Sequence, residues 1–236
     1  MDQVSDLANL DRTRTERMST SVPMKTPLGI LLAMTVVTGV VDAVSFLALG
    51  RVFTANMTGN TVLLGFAFGG ATGLSISRSS VALIAFLIGA AVGGRMSLDV
   101  SGRRWVSRAF LVEASLLAAS AALPMITPQI SYAVIASSAA AMGVQNAVAR
   151  KLGVPDLTTT VLTLTITGLA ADSRLAGGDS PRWQRRVAAI VAMAAGAAAG
   201  ARMVTRSISF PLAICSVITA GCAIVHMRIN SKRGQS

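Results

Sequence analysis

The chain has 236 residues, of which 53% are hydrophobic and only 13% are charged, about half the charged share of a soluble domain. Its mean hydropathy is +0.64, and several apolar stretches reach the roughly 20 residues needed to cross a bilayer. This composition excludes a soluble globule and predicts an all-α, polytopic bundle of membrane helices in contact with lipid.

The formal net charge of +11 raises the possibility of nucleic-acid binding, for which basic patches are typical. The arginines instead cluster at the ends of the apolar stretches, as the positive-inside rule predicts for a membrane protein. Aromatic residues are not interleaved with them. We therefore predict that the partner of this protein is a lipid bilayer and not a nucleic acid.

Residues 1–26 are polar and mixed in sign, without the apolar core and cleavage site of a signal peptide. We expect a disordered cytoplasmic tail, followed by a single membrane domain at 27–236. The translation start could be Met1, Met18 or Met24.

Cysteine and histidine are too sparse to predict a metal site or another cofactor. Cys215 and Cys222 lie seven residues apart in the last apolar stretch, too far apart for a disulfide within one helix. His226 has no cysteine or carboxylate close to it in the sequence. We expect the two cysteines to be small packing residues.

Eight apolar segments follow the tail, separated by clusters of proline, glycine and charged residues. Each is predicted to be helical, and they cover residues 27–49, 53–75, 80–98, 106–126, 130–150, 155–172, 187–204 and 208–228.

The order of motifs predicts an internal duplication, with repeat one at 27–126 and repeat two at 130–229. Segments three and seven each hold a GxxxG pair followed by arginine, and segments one and five share a glycine followed by polar residues. MTGN at 57–60 aligns with LTLT at 162–165 if one residue is inserted. The further matches are Gly89 with Gly196, Gly93 with Gly200, Arg95 with Arg202, and Asp42 with Asn146.

The distribution of positive charge separates two topologies. If all eight segments cross, the 21 Lys and Arg residues divide almost evenly between the two sides. If segments two and six are re-entrant or broken, the only ones outside are Arg51, Arg78, Arg202 and Arg206. The positive-inside rule favours this second arrangement of six full spans. With three spans in each half, the two repeats are inverted, as in many transporters.

The stretch ANMTGN at 55–60 places polar residues and a glycine inside an apolar region. Non-helical backbone at membrane depth is tolerated where it is buried in protein or lines an aqueous cavity. We predict that Asn56, Thr58, Gly59 and Asn60 line a solute pathway, joined from repeat two by Thr159, Thr160, Thr163 and Thr165. The alternative is a helix-packing motif with amide bonds between helices.

Charged and amide residues within other segments extend this prediction. Asp42 lies mid-segment, where an ionisable residue is a functional candidate by default, although it could also make a bond between helices. Gln145 and Asn146 are its polar counterparts in repeat two. For Glu113 we favour an ion pair with Arg108 near the interface over a proton relay.

The remaining candidates are glycines and arginines at matched positions. Gly89, Gly93, Gly196 and Gly200 are expected to permit close helix packing. Arg95 and Arg202 are charges at the two mouths that could attract an anion, although anchoring at the membrane interface is the preferred interpretation.

The stretches TGVVDAVSFLALGRVFTANMTGNTVLLG at 38–65 and GVQNAVARKLGVPDLTTTVLTLTITGLAAD at 143–172 resemble the YoaK-like family of bacterial membrane proteins. The family is described with about six membrane helices, so the resemblance implies a multi-pass protein of the bacterial cytoplasmic (inner) membrane. It implies no substrate. Its second element often reads Thr-Gly-Thr, where this chain has Leu164.

These observations favour a transporter or channel for a small polar or anionic solute, with both termini cytoplasmic and the pathway between the repeats. No Walker motif is present, so ATP would not drive transport directly. The alternative is a non-transporting protein that stabilises or assembles other membrane components. An enzyme is not expected, because the sequence lacks HExxH, GxSxG and a Cys/His cluster. A homo-oligomer is compatible with the small-residue faces.

Overall fold

Each of the eight apolar segments forms one α-helix in the computed structural model, which describes residues 26–98, 104–123, 131–153, 162–179 and 182–233. No strand occurs within these ranges. The helices are α1 Leu28–Ala48, α2 Met57–Phe68, α3 Ile76–Met96, α4 Arg104–Ala122, α5 Ser131–Leu152, α6 Leu162–Ala171, α7 Trp183–Val204 and α8 Ser209–Arg233. The polytopic helical bundle predicted from composition is confirmed.

The boundaries of the first helices follow local sequence signals. Pro27 immediately precedes α1, where its fixed φ and missing N–H are tolerated. The chain leaves α1 through Gly50, at a φ of 91°, which glycine adopts without steric cost. At the start of α2 the side chain of Asn56 accepts a hydrogen bond from Gly59 N, and at the start of α3 that of Ser75 accepts one from Arg78 N.

Helix length divides the eight helices into two groups. Five of them, α1, α3, α4, α7 and α8, are long and apolar enough to cross a membrane. Helix α5, with 22 residues, is comparable in length to these five but less apolar. Protein surrounds it, since no position between Val134 and Val148 is exposed. Helices α2 and α6 have 12 and 10 residues, or about 18 and 15 Å at about 1.5 Å per residue. That is short of a hydrocarbon core of roughly 30 Å.

Two close helix pairs, α3 with α5 and α1 with α7, are held together by glycine. A Cβ atom at Gly89 would overlap the backbone of Ala140, and one at Gly196 would overlap the backbone of Val36. Farther along the same helices, Gly93 lies against Val144 and Gly200 against Val40. Residue numbers rise together on both partners, so each pair is parallel.

The third close pair, α4 with α8, is antiparallel. Ser107 near the start of α4 bonds to His226 near the end of α8, at 2.8 Å. Farther along α4, the carbonyl of Ala114 accepts a bond of 2.7 Å from the hydroxyl of Ser216. Residue numbers therefore rise on α4 as they fall on α8.

Most of the core lies among α1, α4, α5 and α8, whereas α3 and α7 contribute only a few alanines to it. Fully buried side chains of the core include Val37, Phe110, Leu117, Ile135, Met142 and Leu212. On α3, by contrast, Ile84, Leu87 and Ile88 are 58–59% exposed. Such an apolar outer surface is the one that a membrane-spanning bundle presents to lipid.

Candidate functional site

After α1 the chain folds back along the helix that it has just left. The rings of Phe46 and Phe53 stack with their centroids 4.9 Å apart. Residues 54–56 then reach the level of Asp42, six residues before the end of α1, a depth of about 9 Å along the helix. The return loop therefore re-enters the bundle beside the last turns of α1.

Asp42 holds this return loop through its carboxylate. One oxygen, Oδ1, accepts hydrogen bonds from the backbone N–H of Thr54 at 3.2 Å and of Ala55 at 2.8 Å. The other, Oδ2, accepts one from the N–H of Asn56 at 3.1 Å. Backbone N–H groups at membrane depth need an internal acceptor, and Asp42 supplies one to three consecutive donors. The bonds that define the position of Asp42 are thus made to the loop.

The first turn of α2 carries the remaining polar residues of the ANMTGN stretch. Asn60 is fully buried and donates from Nδ2 to the carbonyl of Ser79 on α3, at 3.0 Å. A Cβ at Gly59 would lie 2.9 Å from Nδ2 of Asn56, so a larger residue here would require the capping side chain to shift. Asn56 and Thr58 are exposed.

Asp42, residues 54–56 and Asn60 are called the Asp42 cluster below. Two of its buried oxygens, Thr54 Oγ1 and Asn60 Oδ1, have no hydrogen-bond partner within the described residues. Both groups lie at 0% exposure. Buried polar atoms are normally satisfied by protein or by water. These two acceptors are therefore the atoms of the cluster that a polar solute or a water molecule can bond.

In the second half of the chain, Gln145 connects α5 to α1. Its amide Nε2 donates to the hydroxyl of Thr38 at 2.7 Å and to the carbonyl of Met34 at 3.3 Å. Its oxygen Oε1 is buried without a partner in the described part of the chain. Thr38 and Asp42 lie four residues apart, on one face of α1, so the bond of Gln145 is one turn away from the Asp42 cluster.

A small cavity of about 20 Å³ adjoins Gln145 between α1, α4 and α5. This volume fits about one water molecule. Most of the lining is apolar, and includes Met34, Phe110 and Val148. The bundle is thus closed at this point, and a larger solute could pass only after the helices move.

The structure describes some of the other residues predicted from the second half of the chain. Asn146 is buried and donates from Nδ2 to the carbonyl of Met142 at 2.8 Å. Thr165 is buried, whereas Thr163 is exposed. Thr159 and Thr160 lie outside the described residues.

The matched glycines and arginines occupy distinct environments. Gly89, Gly93, Gly196 and Gly200 are buried at the two parallel interfaces. Arg95 and Arg202 are exposed in the last turns of α3 and α7. The arginines are therefore at helix ends, not in the polar clusters.

Comparisons with known proteins place the chain in a family. The model of the family described as "Protein of unknown function (DUF1275)" matches residues 30–225. The chain belongs to this family. It is also 36% identical over 157 residues to the UPF0700 transmembrane protein YoaK of Bacillus subtilis (strain 168), a match that covers 65% of this chain and 69% of YoaK. No solved structure matches it.

The predicted resemblance to the YoaK-like family is confirmed, and the DUF1275 match extends from α1 into α8. It therefore includes both polar clusters. The description of YoaK as a transmembrane protein agrees with the five long apolar helices of this chain. The DUF1275 chain is a multi-pass membrane protein.

Two features of this DUF1275 protein differ from the sequence interpretation or were missed by it. The expected ion pair of Glu113 with Arg108 is wrong: Glu113 is fully buried without a hydrogen bond, while Arg108 is exposed. The signal was available, since Glu113 is the only acidic residue of its apolar segment. The sequence analysis did not identify Arg186. Its guanidinium forms an ion pair with Asp172 at 2.7 Å and donates a hydrogen bond to the carbonyl of Gly168, and so holds the end of α6 to α7.

Proposed function

We propose that the protein is a transporter or channel for a small polar solute in the bacterial cytoplasmic membrane, with both termini cytoplasmic. The solute pathway runs between two inverted repeats, and no enzymatic role is proposed. The observation that carries the proposal is the antiparallel packing of α4 against α8.

The direction of α8 relative to α4 depends on how many helices cross the membrane between them. If all eight helices cross, α4 and α8 are four crossings apart and must be parallel. If α2 and α6 do not cross, they are three crossings apart and must be antiparallel. The antiparallel contacts, together with the short lengths of α2 and α6, support six full spans and two repeats of opposite orientation.

Corresponding contacts in the two parallel pairs support the duplication. Each glycine contact between α3 and α5 has a counterpart between α7 and α1 at the aligned positions. The corresponding contacts are Gly89–Ala140 with Gly196–Val36, Gly93–Val144 with Gly200–Val40, and Gly143–Phe86 with Gly39–Met193. Such a correspondence is expected if one ancestral unit was duplicated and its copies interlock.

The unpartnered atoms of the two clusters favour a solute that donates hydrogen bonds. Asn60 Oδ1 and Gln145 Oε1 are amide oxygens that only accept hydrogen bonds, and the hydroxyl of Thr54 can accept as well as donate. A neutral polar solute with N–H or O–H groups satisfies them, whereas an anion brings only acceptors. Between the polar and the anionic solutes that the sequence predicts, we therefore favour the polar class.

The test is solute flux into vesicles that contain the purified protein. Vesicle swelling would be followed by light scattering with glycerol and urea as neutral probes, and with potassium nitrate plus valinomycin as the anionic probe. We expect faster swelling than in empty vesicles with a neutral probe. Asn60→Ala removes the buried amide, and we expect it to slow this swelling by about tenfold, a change of ~1.4 kcal/mol in the barrier.

The matched control is Thr61→Ala on the next residue of α2, because Thr61 is exposed and bonds only to its own helix at Met57 O. Swelling of this variant should equal that of the unmodified protein, and both variants must elute as folded protein in gel filtration. If no probe swells the vesicles faster than the empty control, or if Asn60→Ala swells at the unmodified rate, the proposed pathway is wrong.

A further inference from the structure

Glu113 lies at the centre of the α4–α8 interface. It occupies the middle of α4, between Arg104 and Ala122, and its side chain is 0% exposed. Thr219 of α8 faces it, with Cys215 and Cys222 about one turn to either side of Thr219. A carboxyl group is thus enclosed between two membrane helices.

This carboxyl group has no charged partner in the part of the chain that the structure describes. The neutral hydroxyl of Thr219 is adjacent to it, but neither Oε1 nor Oε2 forms a hydrogen bond of good geometry with any described donor. Arg108, on its own helix, is exposed. Of the charged residues on α3, Arg95 is exposed and Arg78 lies over the ring of Tyr132.

The titratable groups that α8 places along this interface are two thiols and one imidazole. Cys215 and Cys222 are free thiols, and the ring of His226 is held by Ser107 and Asn230 beyond Phe110. The side chains that α1 and α5 are seen to place against α4, around Phe110 and Ser120, are apolar or hydroxyl groups and the neutral amide of Gln145. No described neighbour is therefore positioned to balance a negative charge on Glu113.

An unpaired carboxylate in apolar surroundings is so costly that such a group neutralises instead, by taking up a proton. A metal cation would be a poor substitute, because hard cations take six or more oxygen ligands. Here Glu113 and Thr219 offer three oxygens, flanked by thiols. The chemistry of the interface thus selects the proton as the ligand of Glu113.

We propose that Glu113 is the proton-carrying residue of this protein, which releases its proton when the α4–α8 interface opens. In that step the O–H bond of the carboxylic acid breaks, the proton passes to an entering water molecule, and the carboxylate remains; reprotonation reverses the step. This inference rests on the proposed transport function, in which α4 and α8 are equivalent helices of the two repeats. A proton bound between them can therefore be exposed to either side in turn, which couples solute movement to the proton gradient.

The first test measures protonation of Glu113 directly. Infrared difference spectra of the protein in vesicles of phosphatidylcholine and phosphatidylglycerol would be recorded across a pH titration. We expect the carbonyl band of a protonated carboxylic acid in acidic buffer and its loss in alkaline buffer. Glu113→Gln should remove the part of the band that Glu113 contributes, whereas Asp42→Asn, which removes the other buried carboxyl group among the described residues, should retain that part.

A second assignment avoids any change at Glu113, in case Glu113→Gln does not fold. The chain contains two glutamates, Glu16 and Glu113, so a Glu16→Gln protein grown with carboxyl-¹³C glutamate carries the label in one glutamate. The titrating band should then shift with the isotope. A band that stays at every pH, does not shift, or disappears on addition of sodium ions at constant pH would overturn proton exchange at Glu113.

The opening step is tested with the native thiols, which need no added probe site. In alkaline buffer we expect a water-soluble maleimide to label Cys215 several-fold more slowly in Glu113→Gln than in the unmodified protein, with equal rates in acidic buffer. If the two proteins are labelled at equal rates in both buffers, deprotonation of Glu113 is not coupled to opening of the α4–α8 interface. A failure of all flux probes would instead count against transport and leave the infrared result intact.

Discussion

Asp42 illustrates how one acidic side chain can serve structure at a position that also borders a predicted solute pathway. A bond of an N–H group to a charged acceptor contributes about 1.5–3 kcal/mol, and Asp42 accepts three such bonds. Two of the donors, Thr54 and Ala55, are buried and would otherwise be unsatisfied. The return loop therefore depends on this carboxylate, whatever solute passes beside it.

We expect Asp42→Ala to destabilise the protein by about 2–6 kcal/mol, because two buried N–H groups lose their acceptor at about 1–3 kcal/mol each. Asp42→Asn should cost about half as much, since one oxygen can still accept the bonds that Oδ1 receives. The measurement is the thermal unfolding midpoint in detergent, followed by tryptophan fluorescence. Asp179→Ala, an exposed acidic position, is the control, and an unfolding midpoint for Asp42→Ala equal to that of this control would refute the anchoring role.

At this scale the sequence indicated which residues are unusual but not which atoms they meet. A polar residue in an apolar segment is visible from hydropathy alone, so Asp42, Asn60 and Gln145 were found. Their partners are backbone groups, at residues 54–56, Ser79 and Met34, which no side-chain pattern marks. Glu113 was misassigned because a nearby arginine in sequence suggested a pair that the direction of the helix face does not permit.

Helices α1 and α7, and likewise α3 and α5, approach closely because glycine replaces larger residues where their backbones meet. Within lipid, apolar side chains gain little from leaving their surroundings, so the hydrophobic effect does not drive helices together. Close van der Waals contact is then a main source of helix association. Gly94 is a useful contrast, since a Cβ there would meet no atom within 4 Å. Of the two adjacent glycines on α3, Gly93 leaves no space for a side chain, whereas Gly94 does.

We expect Gly89→Ala and Gly196→Ala each to destabilise the bundle by about 1–3 kcal/mol, as overpacking does in a close-packed interface. Gly94→Ala should be neutral or stabilising by up to about 1 kcal/mol, because alanine is the better helix former. Unfolding midpoints in detergent would compare all three variants. If Gly89→Ala unfolds no earlier than Gly94→Ala, the backbone contact with Ala140 does not limit the α3–α5 distance.

The presence of eight helices was predictable, because an apolar segment within a membrane must form a helix to satisfy its backbone hydrogen bonds. The length of each helix was not predictable in this way. The segment at 53–75 yields a helix only at Met57–Phe68, since the residues before it form the loop bound to Asp42. That loop is stabilised by a contact with another helix, so a window of hydropathy cannot detect it.

The molecule as a whole is organised by helix direction, which no single segment encodes. The parallel pairs α1–α7 and α3–α5 fit both six and eight crossings. The antiparallel α4–α8 pair fits six alone, as does the concentration of arginine at the ends that would then face the cytoplasm. The charge count and the helix contacts are independent observations, and they favour the same topology.

Cysteine labelling from outside intact cells tests this topology at exposed positions. In a background with Cys215 and Cys222 replaced by alanine, six crossings predict that a membrane-impermeant maleimide labels Thr72→Cys, in the α2–α3 connection, and not Leu98→Cys, after α3. Eight crossings predict the reverse. Both Thr72 and Leu98 are exposed, so access from either side does not require unfolding.

Two further positions calibrate the labelling, because both topologies place them on the same side. Ser207→Cys, between α7 and α8, should label in either case, and Leu175→Cys, between α6 and α7, in neither until the cells are permeabilised. With these controls satisfied, labelling of Leu98→Cys and not of Thr72→Cys would require α2 to cross the membrane. The antiparallel α4–α8 contact would then be incompatible with the chain's path, and the pathway between inverted repeats would have to be abandoned.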